Sequence, residues 1–318
     1  SHEYILRFTL PDFNPNNNIR FEKSSQTTLT LGAKNKTFRL VKNSGDYNVI
    51  VKFNQYGFRD DKDIKDAKLN DLIVVGDSFT MGWGVEQKQG ISELLEKLIN
   101  KNIYNISVPA DVRGYQSLLR YAESLGAEIK DVVLAVNMQN DIANYDDISK
   151  NILELNQLPQ QKIRYFQRLK NFLLQNSCLY FTITSIITQN DVLRNVAFKM
   201  GLMLPMDYFP ARKIRYEHIL STVSYLRSIA NRYNLIVLVI PTRGLWIGSN
   251  VKKEKRIHES FISELKKQKM DFIDMRKYQE QNKKPMSYHF KNDGHWTPKG
   301  HQLAASAISA KFFSNNRP

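Results

Sequence analysis

A single cysteine, Cys178, is all the thiol chemistry this sequence holds, which excludes an intrachain disulfide and a thiolate metal cluster. No apolar run is long enough to span a bilayer. The most apolar-leaning segment, Phe172 to Thr188, is broken by Gln175, Asn176 and several Ser and Thr. Acidic residues are also scarce, with 31 Asp plus Glu against 46 Lys plus Arg, for a formal net charge of +15. Such a surface favours anionic partners such as nucleic acid, acidic glycans or anionic membrane faces. Nothing in the chain reads as a recognition helix, zinc finger or aromatic–basic RNA platform, so no nucleic-acid partner is expected and a solvated lysine-rich surface accounts for the charge. The phosphate-cradling Walker loop is absent, and so is the Gly-x-Ser-x-Gly of α/β-hydrolases. No two histidines share the spacing of a zinc-binding helix, so neither a metal site nor an organic cofactor is expected. Internal repeats and low-complexity tracts are missing too.

What remains is a chain of 318 residues, 42% apolar, long enough to bury a substantial core. It opens at Ser1-His2 without a methionine, as expected of a chain trimmed at its start, and an earlier signal or membrane anchor is compatible with that. Leu72-Ile73-Val74-Val75 is a short continuous apolar run of the kind that forms a fully buried parallel strand. It stops at Gly76, and helical spacing of Ile91, Leu94, Leu95 and Leu98 follows. Ser78 therefore falls just past the carboxyl end of a strand, where open α/β sheets place ligands. Further strands are predicted over Ile103–Ile106, Val132–Val136, Leu235–Ile240 and Phe272–Ile273. Helices are predicted over Gly90–Asn100, Gln116–Leu125, Arg212–Tyr233, Lys253–Lys267 and Pro298–Phe313. That rhythm implies a parallel sheet with right-handed crossovers and helices on both faces.

Three regions result. Residues 1–70 read as a β-rich N-terminal extension, with Thr27–Leu31 and Thr37–Val41 suggesting a hairpin around Gly32 and Tyr47–Phe53 a further strand. Residues 71–141 and 212–318 carry the βαβ core. Residues 142–211 form a helical insertion or lid, with its clearest helix at Gln161–Gln175; it is too long for a simple crossover. Its basic residues Arg164, Arg168 and Lys170 make it a candidate wall for recognising a glycan.

Three loops beside Ser78 carry reactive groups: Asn105 to Tyr115, Asn137 to Asp141, and Asn292 to His301. A serine hydroxyl is a poor nucleophile until a base takes its proton, and histidine is the usual base. Asp293 and His295, two apart in an extended loop, can be presented as a unit. A carboxylate on the second imidazole nitrogen fixes the tautomer. Backbone N–H groups and an Asn amide would serve an oxyanion. Asp77 is expected to brace its turn, and Trp83 and Trp296 to flank the site or fill the core.

The blocks Gly76-Asp77-Ser78-Phe79, Asn140-Asp141 and Asp293-Gly294-His295 before Pro298-Lys299-Gly300-His301 resemble those of the SGNH/GDSL hydrolase superfamily. The resemblance covers roughly residues 54–85, 103–141 and 234–313. It implies a flavodoxin-like three-layer α/β/α sandwich with a mainly parallel five-stranded sheet. It also implies Ser78 as nucleophile, His295 as base and Asp293 as orienting acid. The oxyanion hole would be the Ser78 N–H, a second-block N–H and the Asn140 amide. Counting places Ala110 where the family usually has glycine, with Gly114 the other candidate. Many members space the last block Asp-x-x-His; Asp-x-His here is similar to the polysaccharide-modifying relatives, with Asp271 and Asp274 as alternative acids. The resemblance implies an extracytoplasmic serine esterase of small O-linked acyl groups, most plausibly acetyl, on a carbohydrate. An O-acyltransferase using the same triad, or a non-catalytic glycan-binding module, remains the alternative.

Overall fold

The computed structural model describes residues 2–9, 19–23, 29–145, 169, 172, 173, 176–203 and 212–315. The five predicted core strands form one parallel sheet: β5 (Leu72–Val75), β6 (Ile103–Asn105), β7 (Asp131–Asn137), β8 (Asn234–Ile240) and β9 (Asp271–Asp274), in the order β6-β5-β7-β8-β9. Counted from the first of them, this is the flavodoxin-like order, whose switch point lies between the first and third strands.

Alternation along each strand splits the core into two layers. Ile73, Val75, Leu134, Val136 and Val237 face Leu118 and Leu119 of α4 (Val112–Ser124), Val223 and Leu226 of α7 (Tyr216–Ala230), and Phe261 of α8 (Val251–Lys267). Leu72, Val74, Val133, Ala135 and Leu238 face Ile91 and Leu95 of α3 (Ile91–Ile99), and Ala304 and Ile308 of α10 (Pro298–Asn315). All four β5 side chains are buried, as their unbroken apolar run requires. Helix α4 starts earlier than its apolar spacing suggests, because Asp111 caps it and accepts from the Gly114 N–H at 2.8 Å.

The N-terminal pairing differs from expectation. Strand β3 (Thr37–Val41) pairs antiparallel with β4 (Asn48–Lys52), not with the preceding segment. Strand β2 (Thr30–Gly32) instead pairs with β1 (Phe21–Lys23). The reversal between β3 and β4 is made at Gly45, whose φ of +80° suits glycine. Gly32, read from sequence as the centre of a hairpin, has no room for a side chain because the Phe53 ring packs against it, and its N–H goes to Gly57 O. Phe38, Leu40, Val49, Val51 and Phe53 make a third small core that reaches Met81, beyond Ser78.

The chain also begins with a helix that the sequence reading did not anticipate, α1 (His2–Thr9). Its Glu3 accepts from the Cys178 and Leu179 N–H groups at the start of α5 (Cys178–Gln189), which α6 (Asp191–Lys199) follows. The expected helix at Gln161–Gln175 lies almost wholly outside the described residues, as do Arg164, Arg168 and Lys170. Among the described residues, no helix is long and apolar enough to cross a membrane. A cleft of about 430 Å³ lined by Lys101, Asp131, Asn234 and Asp271 lies at the amino ends of the strands, the edge away from Ser78.

Two predictions concern this frame. At Gly76 a Cβ would sit 2.4 Å from Thr80 Oγ1 and 2.9 Å from Ala135 Cβ, so the turn leaving β5 needs glycine for its close approach. Gly76→Ala should cost about 1–3 kcal/mol in urea unfolding, the range for overpacking, and unchanged stability would contradict this packing. His301 at the start of α10 is fully buried, and burial followed by the nearby Arg59 charge pushes its imidazole down to about 3. A histidine depressed in the folded state binds its proton in the unfolded state first, so its contribution to stability is lost as pH falls below about 6.5. His301→Leu should therefore gain about 2 kcal/mol relative to wild type between pH 7 and pH 5. A pH-independent difference between the two proteins would show that His301 is not buried neutral.

Candidate active site

The site forms where the carboxyl ends of β5, β6 and β7 meet the loop before α10. Asp77 follows β5 in extended conformation and caps the one-turn helix α2 (Ser78–Met81). Its carboxylate accepts from the Phe79 N–H at 2.9 Å and from Asn137 Nδ2 at 2.8 Å, tying the Ser78 turn to the end of β7. Burial raises the Asp77 carboxyl, against the pull of these donors. Asp77 thus braces the turn, as expected.

Ser78 Oγ stands 2.8 Å from His295 Nε2. The other imidazole nitrogen, Nδ1, meets Asp293 Oδ1, which also accepts the His295 backbone N–H at 3.0 Å. The loop that presents the pair is pinned by Phe290 N–H to His295 O and by Thr297 N–H to Tyr288 O. Trp83 stacks on the imidazole at 5.6 Å between ring centres, and Phe79 lies at 4.9 Å. Trp296, by contrast, is wholly buried in the core against Phe79 and His301. Hydroxyl, imidazole and carboxylate are therefore joined in a row in which Nδ1–H donates to Asp293 and Nε2 is left to accept a proton from Ser78.

Burial alone would raise the Asp293 carboxyl, but the His295 hydrogen bond and charge, with Lys42, outweigh it and hold the group well below the carboxylate range. Asp271 and Asp274, the alternative acids, are elsewhere. Asp274 pairs with His258 at 2.9 Å and caps α9 (Met275–Glu280), while Asp271 pairs with Lys311 at 2.5 Å. His289 is buried and spends Nδ1 on Gly294 O at 2.8 Å, and burial pushes it down to about 4. Among the described residues, no three His, Cys, Asp or Glu are grouped to hold a metal ion.

Asn140 is exposed beside the turn, and its side chain is among the groups that offset the rise of the Asp77 carboxyl. Its loop is held from below by buried Asp141, which accepts from the Asn137 N–H at 2.7 Å and from Tyr115 Oη. From outside, Arg212 donates to the Met138 and Gln139 carbonyls while paired with Glu254. Of the two second-block candidates, the Gly114 N–H is taken by Asp111 inside the α4 cap. Ala110 lies before that cap, and its carbonyl accepts from Tyr115 Oη at 3.1 Å.

Sequence reasoning missed several contributors. Buried Arg59 spans the Gly82, Val85 and Ile50 carbonyls, fixing the Trp83 loop to β4. The Gly57-Phe58-Arg59 block ahead of β5 was a signal that could have pointed to it. Lys42 and Tyr47 reach Asp293 from the β3–β4 hairpin, and Arg243 donates to the Asp293 carbonyl from the end of β8. No pattern in the sequence marks these.

Residues 229–316 match the family model described as "SGNH hydrolase-like domain, acetyltransferase AlgX", a span that includes Asp293 and His295 but not Ser78. No curated protein matches the chain. Among solved structures it is similar to a lipase/acylhydrolase from Enterococcus faecalis, with 11% identity, 78% of this chain and 98% of that chain covered, and a TM-score of 0.45. A lipolytic protein of the G-D-S-L family from Veillonella parvula matches with 12% identity, coverages of 78% and 99%, and a TM-score of 0.43. A carbohydrate acetylesterase family member from Sinorhizobium meliloti matches with 8% identity, coverages of 77% and 98%, and a TM-score of 0.41. The family match thus covers the C-terminal part of the core, where the Asp-x-His block resembles an SGNH hydrolase-like domain.

Proposed function

We propose that this chain is a serine-dependent esterase of small O-linked acyl groups, with acetyl on a carbohydrate the favoured substrate. The observation that carries the reading is the row Ser78 Oγ, His295 Nε2, His295 Nδ1 and Asp293 Oδ1. A hydroxyl, a base and an orienting carboxylate in hydrogen-bonded sequence are what acyl transfer through serine requires.

Ser78 Oγ attacks the ester carbonyl while its proton passes to His295 Nε2. Asp293 holds the imidazole in the accepting tautomer and offsets the charge it gains. The negative oxygen of the tetrahedral intermediate is met by the Ser78 and Ala110 N–H groups and the Asn140 amide. Collapse expels the alcohol, which takes the proton from Nε2 and leaves an acyl-serine. Water, activated by the same imidazole, then releases the acid and restores Ser78.

A second reading, transfer of the acyl group to a sugar hydroxyl in place of water, is favoured by the matched family's description as an acetyltransferase. The division into a catalytic core of residues 71–141 and 212–318, an extension over 1–70 and an insertion over 142–211 belongs to the same proposal.

Hydrolysis of a short aryl acetate should fall by several orders of magnitude in Ser78→Ala, the usual cost of losing a triad nucleophile. Retention of a tenth of the wild-type rate would refute the assignment. Asn140→Ala should lower kcat by roughly a hundredfold with little change in KM, as expected for one oxyanion donor. A loss confined to KM would make Asn140 a substrate-binding residue only.

A further inference from the structure

The β3–β4 hairpin ends directly on the carboxylate of the site. Lys42 follows β3 and Tyr47 precedes β4, and the Lys42 N–H donates to Tyr47 O at 3.0 Å, so both side chains leave the same rung of the reversal. Asp293 divides its two oxygens between two sets of donors. Oδ1 faces His295, while Oδ2 receives Tyr47 Oη at 3.1 Å and Lys42 Nζ at 3.1 Å. Tyr47 Oη also accepts from Trp83 Nε1 at 2.9 Å, so its own proton points to Asp293. The indole stacked on His295 and the acid beneath His295 are thereby tied to one buried phenol.

The surroundings keep this end of the hairpin fixed. Asp46 Oδ1 accepts the Asn292 N–H at 3.1 Å, next to Asp293. Arg194 of α6 donates to Asn292 Oδ1 at 3.2 Å, and Thr188 and Gln189 of α5 both donate to Asn43 O. At Gly84 a Cβ would lie 2.7 Å from Tyr47 Cδ1, so the Trp83 loop closes against the phenol ring with no side chain between them.

We propose that Lys42 and Tyr47 are positioning residues for the Asp293–His295 pair, which makes the N-terminal hairpin a working part of the active site. The inference rests on the serine-esterase reading. Tyr47 fixes the direction of the carboxylate, and so of the imidazole it orients. Lys42 adds a positive charge next to a pair that must accept a second one when His295 takes the Ser78 proton. Its ammonium is about one-third exposed, so solvent screens part of that effect. The other charged or titratable groups facing the pair are Asp46, Arg243, Asp77, His289 and His301.

The test compares wild type, Tyr47→Phe, Lys42→Met and Lys42→Arg for aryl acetate hydrolysis over pH, with fluorophosphonate labelling of each protein mapped by mass. Tyr47→Phe should lower kcat about tenfold with KM nearly unchanged, in line with loss of a hydrogen bond to a charged group. Lys42→Met should move the acid limb of kcat/KM upward by about half a pH unit or more, because the imidazolium is no longer opposed by a neighbouring cation. Lys42→Arg should return the limb toward its wild-type position. Wild-type kcat in Tyr47→Phe, or an unmoved acid limb in Lys42→Met, would overturn the proposal; the second holds even if the rate falls, since lost packing alone would not move the limb. If Lys42→Met does not fold, Lys42→Gln carries the same pH test. Absence of label on Ser78 in the wild type would instead remove the catalytic reading and leave the hairpin contact as a structural brace.

Discussion

A buried carboxylate stays ionised only if hydrogen-bond donors replace the water it has lost. Asp293 is 9% exposed, and among the described residues four donors reach its carboxylate: the His295 ring, the His295 backbone, Tyr47 and Lys42. Two of the four come from its own loop and two from a hairpin some two hundred and fifty residues earlier in the chain. That requirement explains why the hairpin lies where it does, why Arg59 fastens β4 to the Trp83 loop, and why α5 and α6 grip the turn from outside. The sheet positions the Ser78 turn, while the chain outside the sheet provides the environment in which Asp293 stays ionised beside His295.

How much of this was legible in the sequence follows from how local each cause is. The unbroken apolar runs at Leu72–Val75 and Leu235–Ile240 state their own burial, and helical spacing between strands leaves few topologies, so the sheet could be read directly. Ser78 and the Asp293–His295 pair were legible because each occupies a short block with its own turn chemistry. The N-terminal pairing was not, since two neighbouring segments alternate equally well with Thr37–Val41 and only the Gly45 reversal and the Phe53 ring over Gly32 decide between them. Gly114 is a related case. A glycine near a predicted oxyanion donor invites that role, yet the Asp111 cap claims its N–H. Lys42 and Tyr47 are ordinary residues in their local context, and their importance appears only when the fold brings them to Oδ2.

The formal charge of +15 is not concentrated in the row of Ser78, His295 and Asp293. Around His295 the cations already have partners: Lys42 on Asp293, Arg59 on three carbonyls, and Arg212 on Glu254 and the Asn140 loop. These buried or half-buried cations brace loops that carry reactive groups. The other lysines and arginines that make up the excess lie outside this set.

An acyl group that passes through the Ser78 oxygen can be caught there. Protein quenched with acid during turnover of an aryl acetate, then digested and mapped by mass, should carry acetyl on Ser78. The modification should build up to a higher level when water attack is slowed by lowering the pH within the active range. Turnover without any acetyl on Ser78, or with acetyl on another side chain that rises and decays with the reaction, would contradict the account.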